Sequence, residues 1–431
     1  MVISKIYKEI ASAVDSLEDE LFSFIQKLVQ IPSLPGLEQK AQELVADKLK
    51  ELKLDIDIVR SNFDELKEHP AFCDDNIPYE NRINVIGRWC SSGKEKKDKN
   101  KNARSLILNG HVDVVSPGNE DLWDYSPWSG KIKDGKLFGR GACDMKAGLA
   151  SAIFAIKALQ KLGFQPKEDV LLESVIGEES GGVGSLTTII KGYKADAVII
   201  LEPTKLQICP VQAGALTFRI KLRGKSVHAC MKKSGVNAIE KFYTILQAIN
   251  DFEHKRHLNY QNPLYKDPMN VAPICIGTIE GGDWHSTVAA EVMAEGRYGV
   301  FPGESAESAK KDFRKILEQA ANKDHWLKEH PPILEWFEGQ FESGVTDISE
   351  PIIKTVSECH EIISGKEAQV QGVTYGADLR LFTNYGKMPT ILYGPGDVIN
   401  THTINEFIQL KDVLLGTKVI ALTIFKWCGG M

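Results

Sequence analysis

Cysteine pairs spaced C-x-x-C are missing from this chain, and its eight cysteines (Cys73, Cys90, Cys143, Cys209, Cys230, Cys275, Cys359, Cys428) lie scattered along it. That spread argues against a thiolate zinc site and against a disulfide framework, so reduced thiols are expected. Residues 1–27 contain no uninterrupted apolar run and carry acidic residues throughout. Neither a signal peptide nor a membrane span fits such a stretch, and the cytoplasm is the expected location. Clusters of basic residues interleaved with aromatics are also lacking, and the net charge of -6 gives nucleic acid nothing to hold. The one dense charge run, 94–101, mixes lysines with Glu and Asp without apolar periodicity and reads as a solvated loop. No internal repeat is present, which excludes solenoid and propeller architectures.

What is present fits an ordinary globular protein. An apolar fraction of 43% supplies a sizeable core, and 431 residues exceed what one core usually holds, so two or three domains are expected. Apolar residues recur at helical spacing over 6–29 and 39–52, predicting two N-terminal helices. Strand-like runs follow at 54–59, 84–88 and 105–108, then an amphipathic helix over 146–162 and strands at 169–176 and 197–201. Strands alternating with helices predict an α/β domain with a mostly parallel sheet, whose ligand site lies at the carboxyl ends of the strands. Beyond Pro210 the order becomes strand (216–222), helix (237–250), two strands (272–280, 288–300), helix (305–321) and strand (333–337). That is the βαββαβ order of a ferredoxin-like unit. The expected organisation is a first catalytic part over 1–211, an inserted domain over 212–340, and a second catalytic part over 341–431.

Several residues at those strand ends carry chemistry. His111 and Asp113 leave the same face of an extended segment, so the imidazole can ligate a metal while the carboxylate orients it. The plain alternative is a surface hydrogen bond. Asp144 sits in a glycine turn entering a helix and reads equally as an N-cap or as a metal ligand. Its neighbour Cys143 would serve as a nucleophile only with an activating base at hand. Glu178 and Glu179 are adjacent like charges after a strand, a conflict that a divalent cation resolves, leaving one carboxylate to ligate and the other to take a proton from the attacking water. A solvated acidic pair is the alternative. Glu202 follows another apolar strand, and His402 lies in a glycine-rich loop where a lone histidine is commonly a bystander. Together, two histidines and three carboxylates at strand ends form the nitrogen and oxygen set of a two-metal hydrolytic site.

The runs Leu108-Asn109-Gly110-His111-Val112-Asp113, Gly139-Arg140-Gly141-Ala142-Cys143-Asp144-Met145-Lys146 and Gly177-Glu178-Glu179-Ser180-Gly181-Gly182 resemble the family of acetylornithine deacetylase, succinyl-diaminopimelate desuccinylase, aminoacylase and glutamate carboxypeptidase. The order continues through Glu202 and His402, so the resemblance covers essentially the whole chain, and the wording is nearest to acetylornithine deacetylase. It implies two divalent ions, Zn2+ in the first place with Co2+ or Mn2+ fitting the same donors. Asp144 would bridge them, His111 and Glu202 completing one site, Glu179 and His402 the other, with Glu178 the general base. It further implies that the inserted unit is a lid through which a homodimer forms, and that His228, in Gly224-Lys225-Ser226-Val227-His228-Ala229, reaches across that dimer to the scissile carbonyl. Arg297 and Arg380 resemble arginines that bind a substrate carboxylate, and Gly376 lies on the rim of the pocket. Where many relatives carry a substrate-contacting asparagine after Gly281-Gly282, this chain reads Asp283-Trp284-His285-Ser286-Thr287, with Ser286 nearest that place.

The expected substrate is thus a small N-acylated amino acid or related amine, cleaved at its amide bond. Exopeptidase or dipeptidase action and deformylation of an N-formyl-aminopyrimidine are open on the same scaffold. A catalytically dead binding relative would have lost a ligand or the base, whereas here every such position is filled.

Overall fold

Charge and side-chain size, more than apolar periodicity, decide where the first elements break. Apolar spacing runs unbroken through 6–29, yet in the computed structural model, which describes residues 2–90 and 103–429, that stretch is two helices, Val2–Asp15 and Glu18–Val29. Ser16 turns its hydroxyl onto the Ala13 carbonyl (2.7 Å) and Leu17 leaves helical geometry at φ -110, ψ 5. Glu18, Asp19 and Glu20 then sit in the first turn of the new helix, where negative charge meets the positive end of the helix dipole. The third helix, Gln39–Glu51, lies where the periodicity predicts it. The lysine-rich run at 94–101 lies outside the described residues.

The chain divides into two compact units, Met1–Pro210 with Val345–Gln371 and Ala377–Met431, and Val211–Gly344 with Gly372–Gly376. The first is of the mixed α/β class. Its large sheet runs in the order Asp55–Arg60, Ile83–Trp89, Val170–Val175, Leu106–His111, Val198–Ile200, Thr390–Leu392, Ile208–Gln212 and Gly344–Val345, with Val370–Val373 paired to Ile208–Gln212. The middle of that sheet is parallel: Leu106–His111 pairs in parallel with both Val170–Val175 and Val198–Ile200, and the latter with Thr390–Leu392. Every residue of Leu106–His111 and Val170–Val175 is buried, as parallel strands covered on both faces must be. The polar members of these strands answer one another: Asn109 stands opposite Glu173 in register and donates to its carboxylate at 3.1 Å.

The helix Ala147–Lys161 lies within the predicted span but is not amphipathic. Nearly all of it is buried, because alanines and apolar residues surround it on every side, and it packs against Leu410–Gly429, the N-terminal helices and the sheet. Gly148 allows this. A Cβ there would stand 2.1 Å from the Leu201 carbonyl oxygen, a backbone atom that cannot swing aside. Gly148→Ala is therefore expected to destabilise the protein by roughly 1–3 kcal/mol, read as a lowered urea midpoint. An unchanged midpoint would show that helix and strand separate freely.

In the second unit the strands Gly214–Arg223, Ile274–Gly281, Glu291–Val300 and Ile333–Phe341 form an antiparallel sheet in the order Ile274–Gly281, Glu291–Val300, Gly214–Arg223, Ile333–Phe341. With helices Ala238–Leu258 and Ala306–Ala321 between them, this is βαββαβ connectivity. Leu216, Phe218, Ile220 and Leu222 point alternately into the core beside Phe242, Ile245, Phe313 and Leu317. The intervening residues form a charged ladder, Arg219 to Glu295 at 2.6 Å and Lys221 to Glu335 at 2.8 Å. Among the described residues no helix is long and apolar enough to cross a membrane.

Candidate metal centre

Three neighbouring parallel strands deliver the site at their carboxyl ends, where an open α/β sheet presents ligands. His111 is the last residue of Leu106–His111, Glu178 and Glu179 follow Val170–Val175, and Glu202 follows Val198–Ile200. Asp144 lies in the irregular turn Ala142–Lys146 with extended backbone (φ -118, ψ 100). Lys146, not Asp144, stands at the N-cap of the following helix, so the capping alternative for Asp144 is gone. His402 occupies a left-handed position (φ 56) in the loop between Val398–Asn400 and Phe407–Gln409.

These six side chains converge. His111 Nε2 stands 3.2 Å from Asp144 Oδ1 and 3.9 Å from both Glu178 Oε2 and Glu202 Oε1. His402 Nε2 stands 3.1 Å from Glu179 Oε1 and 3.5 Å from Asp144 Oδ2. Two groups of possible ligand atoms result, His111–Asp144–Glu202 and Asp144–Glu179–His402, each with its atoms within 4.8 Å of one another, and Asp144 belongs to both. A tetrahedral zinc with bonds of about 2.0–2.1 Å holds its donors about 3.3–3.4 Å apart, which these separations bracket.

The proton inventory of His111 points the same way. Its Nδ1 lies 2.9 Å from the carbonyl oxygen of Asp113, which only an N–H can satisfy. Nε2 faces carboxylate oxygens: burial opposes charge on His111, but the hydrogen bond to Asp144 and the fields of Asp113, Glu178 and Glu202 win and raise it well above its ordinary range, and a cation between them would take the place of that proton at the Nε2 lone pair. Glu202 Oε1 is buried with no hydrogen-bond partner, a cost that ligation removes. The donor set therefore fits a pair of divalent cations. Asp113 plays a somewhat different part from the one its spacing predicts: its carbonyl is the nearer partner of His111, its carboxylate Oδ1 lies at 3.7 Å, and Oδ2 accepts the backbone N–H of Glu179 at 3.1 Å.

Electrostatically the cluster is strained by its own charge. Burial, and then the fields of Asp378 and Glu202, push Glu178 well above the usual carboxylate range. Burial and Asp144 do the same to Glu202 and raise Glu179. Burial opposes charge on Asp144 too, but hydrogen bonds from His111 and His402 win and hold it below the ordinary range. His402 donates to the carboxylates of Asp144 and Glu179, which pushes it up to about 10. Burial, with Glu406 and Asp144 beside it, drives the Cys143 thiol well above its ordinary value. A neutral, buried thiol is no nucleophile, and that alternative is set aside.

The profile of peptidase family M20/M25/M40 matches residues 107–426. The chain belongs to this family. Two curated relatives carry the name N-formyl-4-amino-5-aminomethyl-2-methylpyrimidine deformylase. That of Halalkalibacterium halodurans is 27% identical over 98% of this chain and 98% of its own length. That of Bacillus subtilis is 28% identical over 78% of this chain and 82% of its own. Among solved structures, a dinuclear metal-binding peptidase of the M20 family from Bacillus subtilis has the same fold, with a TM-score of 0.67, 15% identity, and coverage of 97% of this chain and 100% of that one. As an M20/M25/M40 member, this chain is a metal-dependent amidohydrolase.

The remaining expected residues of this M20/M25/M40 protein fall into two places. Arg380 is fully buried in the first unit and donates to the Gly181 carbonyl at 2.8 Å, beside the turn that carries Glu178 and Glu179. His228, Ser286, Arg297 and Gly376 belong to the second unit. There His228 forms a β-bridge with Thr287, and Ala229 N–H donates to the Ser286 carbonyl at 2.9 Å, so the His228 and Ser286 segments form one locus. His228 is exposed, and its Nδ1 accepts the Cys230 N–H at 3.2 Å, which leaves the proton on Nε2. Sequence reasoning missed Glu406, which is buried and accepts the backbone N–H groups of both Cys143 (2.9 Å) and Asp144 (3.1 Å). Burial raises it to about 7. Its sequence signal is an acid directly before the apolar run 407–408; nothing local tells that it meets a turn more than 250 residues earlier.

Proposed function

We propose that the chain hydrolyses the N-acyl amide of a small amine, using two divalent ions, Zn2+ in the first place, held by His111, Asp144, Glu202 and by Asp144, Glu179, His402. The observation that carries this is the sharing of Asp144 between two ligand groups, with Glu178 at their edge. Bound there, such ions act as Lewis acids and make water easier to deprotonate. The chain's own part is proton movement and positioning. Glu178 takes the proton of the attacking water as the oxygen bonds to the acyl carbon, and gives it to the amine nitrogen as the C–N bond breaks. Asp113 orients His111 through its carbonyl and Glu179 through its carboxylate. His228 offers an Nε2–H donor for the developing oxyanion, a role that places the charge where a fixed donor is worth most. We assign that donor to the partner copy of a homodimer. Supporting this, Ile274–Gly281 is the edge strand of its sheet and exposed from Gly277 onward, an unpaired edge that a second copy can extend.

For the acyl group, an N-formyl amide is the first candidate, because a relative named as a deformylase aligns over 98% of this chain. The acetylornithine-like reading has an observation of its own in Arg297. Its guanidinium donates to the Thr374 carbonyl at 3.2 Å, and among the described residues it forms no ion pair, leaving the fork for a substrate carboxylate, with Ser286 and Gly376 in the same unit. Arg380, turned to Gly181, supports the Glu178 turn.

One assay separates the readings. The protein reconstituted with Zn2+ or Co2+ is given an N-formyl-aminopyrimidine, N-acetylornithine and a dipeptide, with release of formate, acetate or free amino acid measured. Arg297→Ala is expected to raise KM about 10-fold or more for a carboxylate-bearing substrate, equivalent to roughly 1.4 kcal/mol of lost charge-assisted hydrogen bonding, and to leave a formyl-aminopyrimidine unaffected. Metal-replete protein inert to all three classes would defeat the proposal.

A further inference from the structure

Asp144 and His402, ligands far apart in the sequence, are joined by a small second sheet. Lys136–Phe138 pairs antiparallel with Phe407–Gln409, Phe138 standing opposite Phe407. The first of these strands leads directly into Gly139–Asp144, and the second is entered directly from His402–Glu406. At the junction Gly139 N–H donates to the Glu406 carbonyl at 2.9 Å. The Glu406 side chain closes the gap: Oε1 accepts from Cys143 N (2.9 Å) and Asp144 N (3.1 Å), and Oε2 accepts from Arg140 Nη1 at 2.6 Å. Arg140 is itself held, donating through Nη2 to the Ser116 carbonyl at 3.2 Å with its guanidinium 5.3 Å from the centre of the Trp123 ring. Both charged side chains are buried, Glu406 completely.

This carboxylate spends its acceptors on the turn that carries the shared ligand. The Asp144 backbone is neither helical nor part of a strand, so no regular ladder fixes its nitrogen. An aspartate side chain has only two torsions, and where its backbone nitrogen and Cα are held, the reach of its carboxylate follows. We propose that Glu406, clamped by Arg140, is a positioning residue that sets Asp144 for simultaneous contact with both cations and couples that setting to the His402 loop. The proposal rests on the two-metal reading above and adds to it a residue that touches neither ion.

The test is metal binding by the whole apo-protein, with Co2+ alone as probe, followed by its visible absorption and by competition with a chelating dye. Glu406→Gln places an amide before Arg140 and weakens the paired acceptor. Glu406→Asp keeps the charge and draws the acceptor back from the turn by one methylene. In each variant Co2+ affinity is expected to fall by about 10–100-fold, in both binding steps because Asp144 is common to them, with a changed Co2+ absorption band. Thermal unfolding monitors the fold separately; if Glu406→Gln does not fold, Glu406→Asp decides. Folded variants that bind two Co2+ with wild-type affinity and spectrum would overturn the positioning role and leave the two-metal reading standing. Wild-type protein that takes up no Co2+ would overturn both.

Discussion

Replacing Glu178 by glutamine is expected to leave the bound metal in place and to lower turnover by roughly 10²–10⁴-fold, the usual worth of a positioned general base. The carboxylate lies within the ligand cluster, 3.9 Å from His111 Nε2, yet belongs to neither group of mutually close ligand atoms. Glutamine has the same shape and keeps an acceptor oxygen, but it cannot take a proton. Burial and the negative charges of Asp378 and Glu202 raise the proton affinity of Glu178, which equips it to receive a proton and to release it to a departing amine. Metal analysis by mass spectrometry and steady-state kinetics on the same preparation check this. Full metal content with wild-type turnover would remove Glu178 from the chemistry, and loss of metal in step with activity would make it a ligand instead.

The second large effect is expected at Asp144. Asp144→Ala takes a donor from both ligand groups at once, whereas Glu202→Ala touches only the group of His111 and His402→Ala only the group of Glu179. The single-group variants are expected to lose about one equivalent of metal and Asp144→Ala both, with turnover falling by at least about 10³-fold, some 4 kcal/mol of transition-state stabilisation. The damage is compounded because His111 and His402 would lose the partner that each faces at 3.2 and 3.5 Å. Equilibrium dialysis against Zn2+ or Co2+ reads the stoichiometry directly. Two ions retained tightly by Asp144→Ala would refute a shared ligand.

The convergence of the candidate ligands was partly legible in the sequence because several of these residues advertise themselves locally: an apolar strand run ends, and a histidine or carboxylate follows. His111, Glu178, Glu179 and Glu202 share that signature, and the parallel pairing of Leu106–His111 with Val170–Val175 and Val198–Ile200 brings them side by side. What was not readable depends on pairing at long range. The acid at 406 and the arginine at 140 each look like ordinary strand-edge charges until the strands at 136–138 and 407–409 meet. The break at Ser16–Leu17 was hidden for a different reason: apolar periodicity continues through it, with neither proline nor glycine to mark it, and only three successive acids record the new start. In the second unit, alternation along 214–223 was a sufficient guide, because one face packs on two helices and the other carries the charged ladder.

The order in which the ligands occur along the chain gives the site a built-in sense of completion. During synthesis His111, Asp144 and Glu202 exist once residue 202 has been made, but the group of Asp144 and Glu179 waits for His402, after an entire inserted unit of its own has been produced. The strand 407–409 must then dock before the turn of Asp144 is braced by Glu406. A chain that stops short of residue 402 has every donor of the group His111–Asp144–Glu202 and lacks one donor of the group Asp144–Glu179–His402.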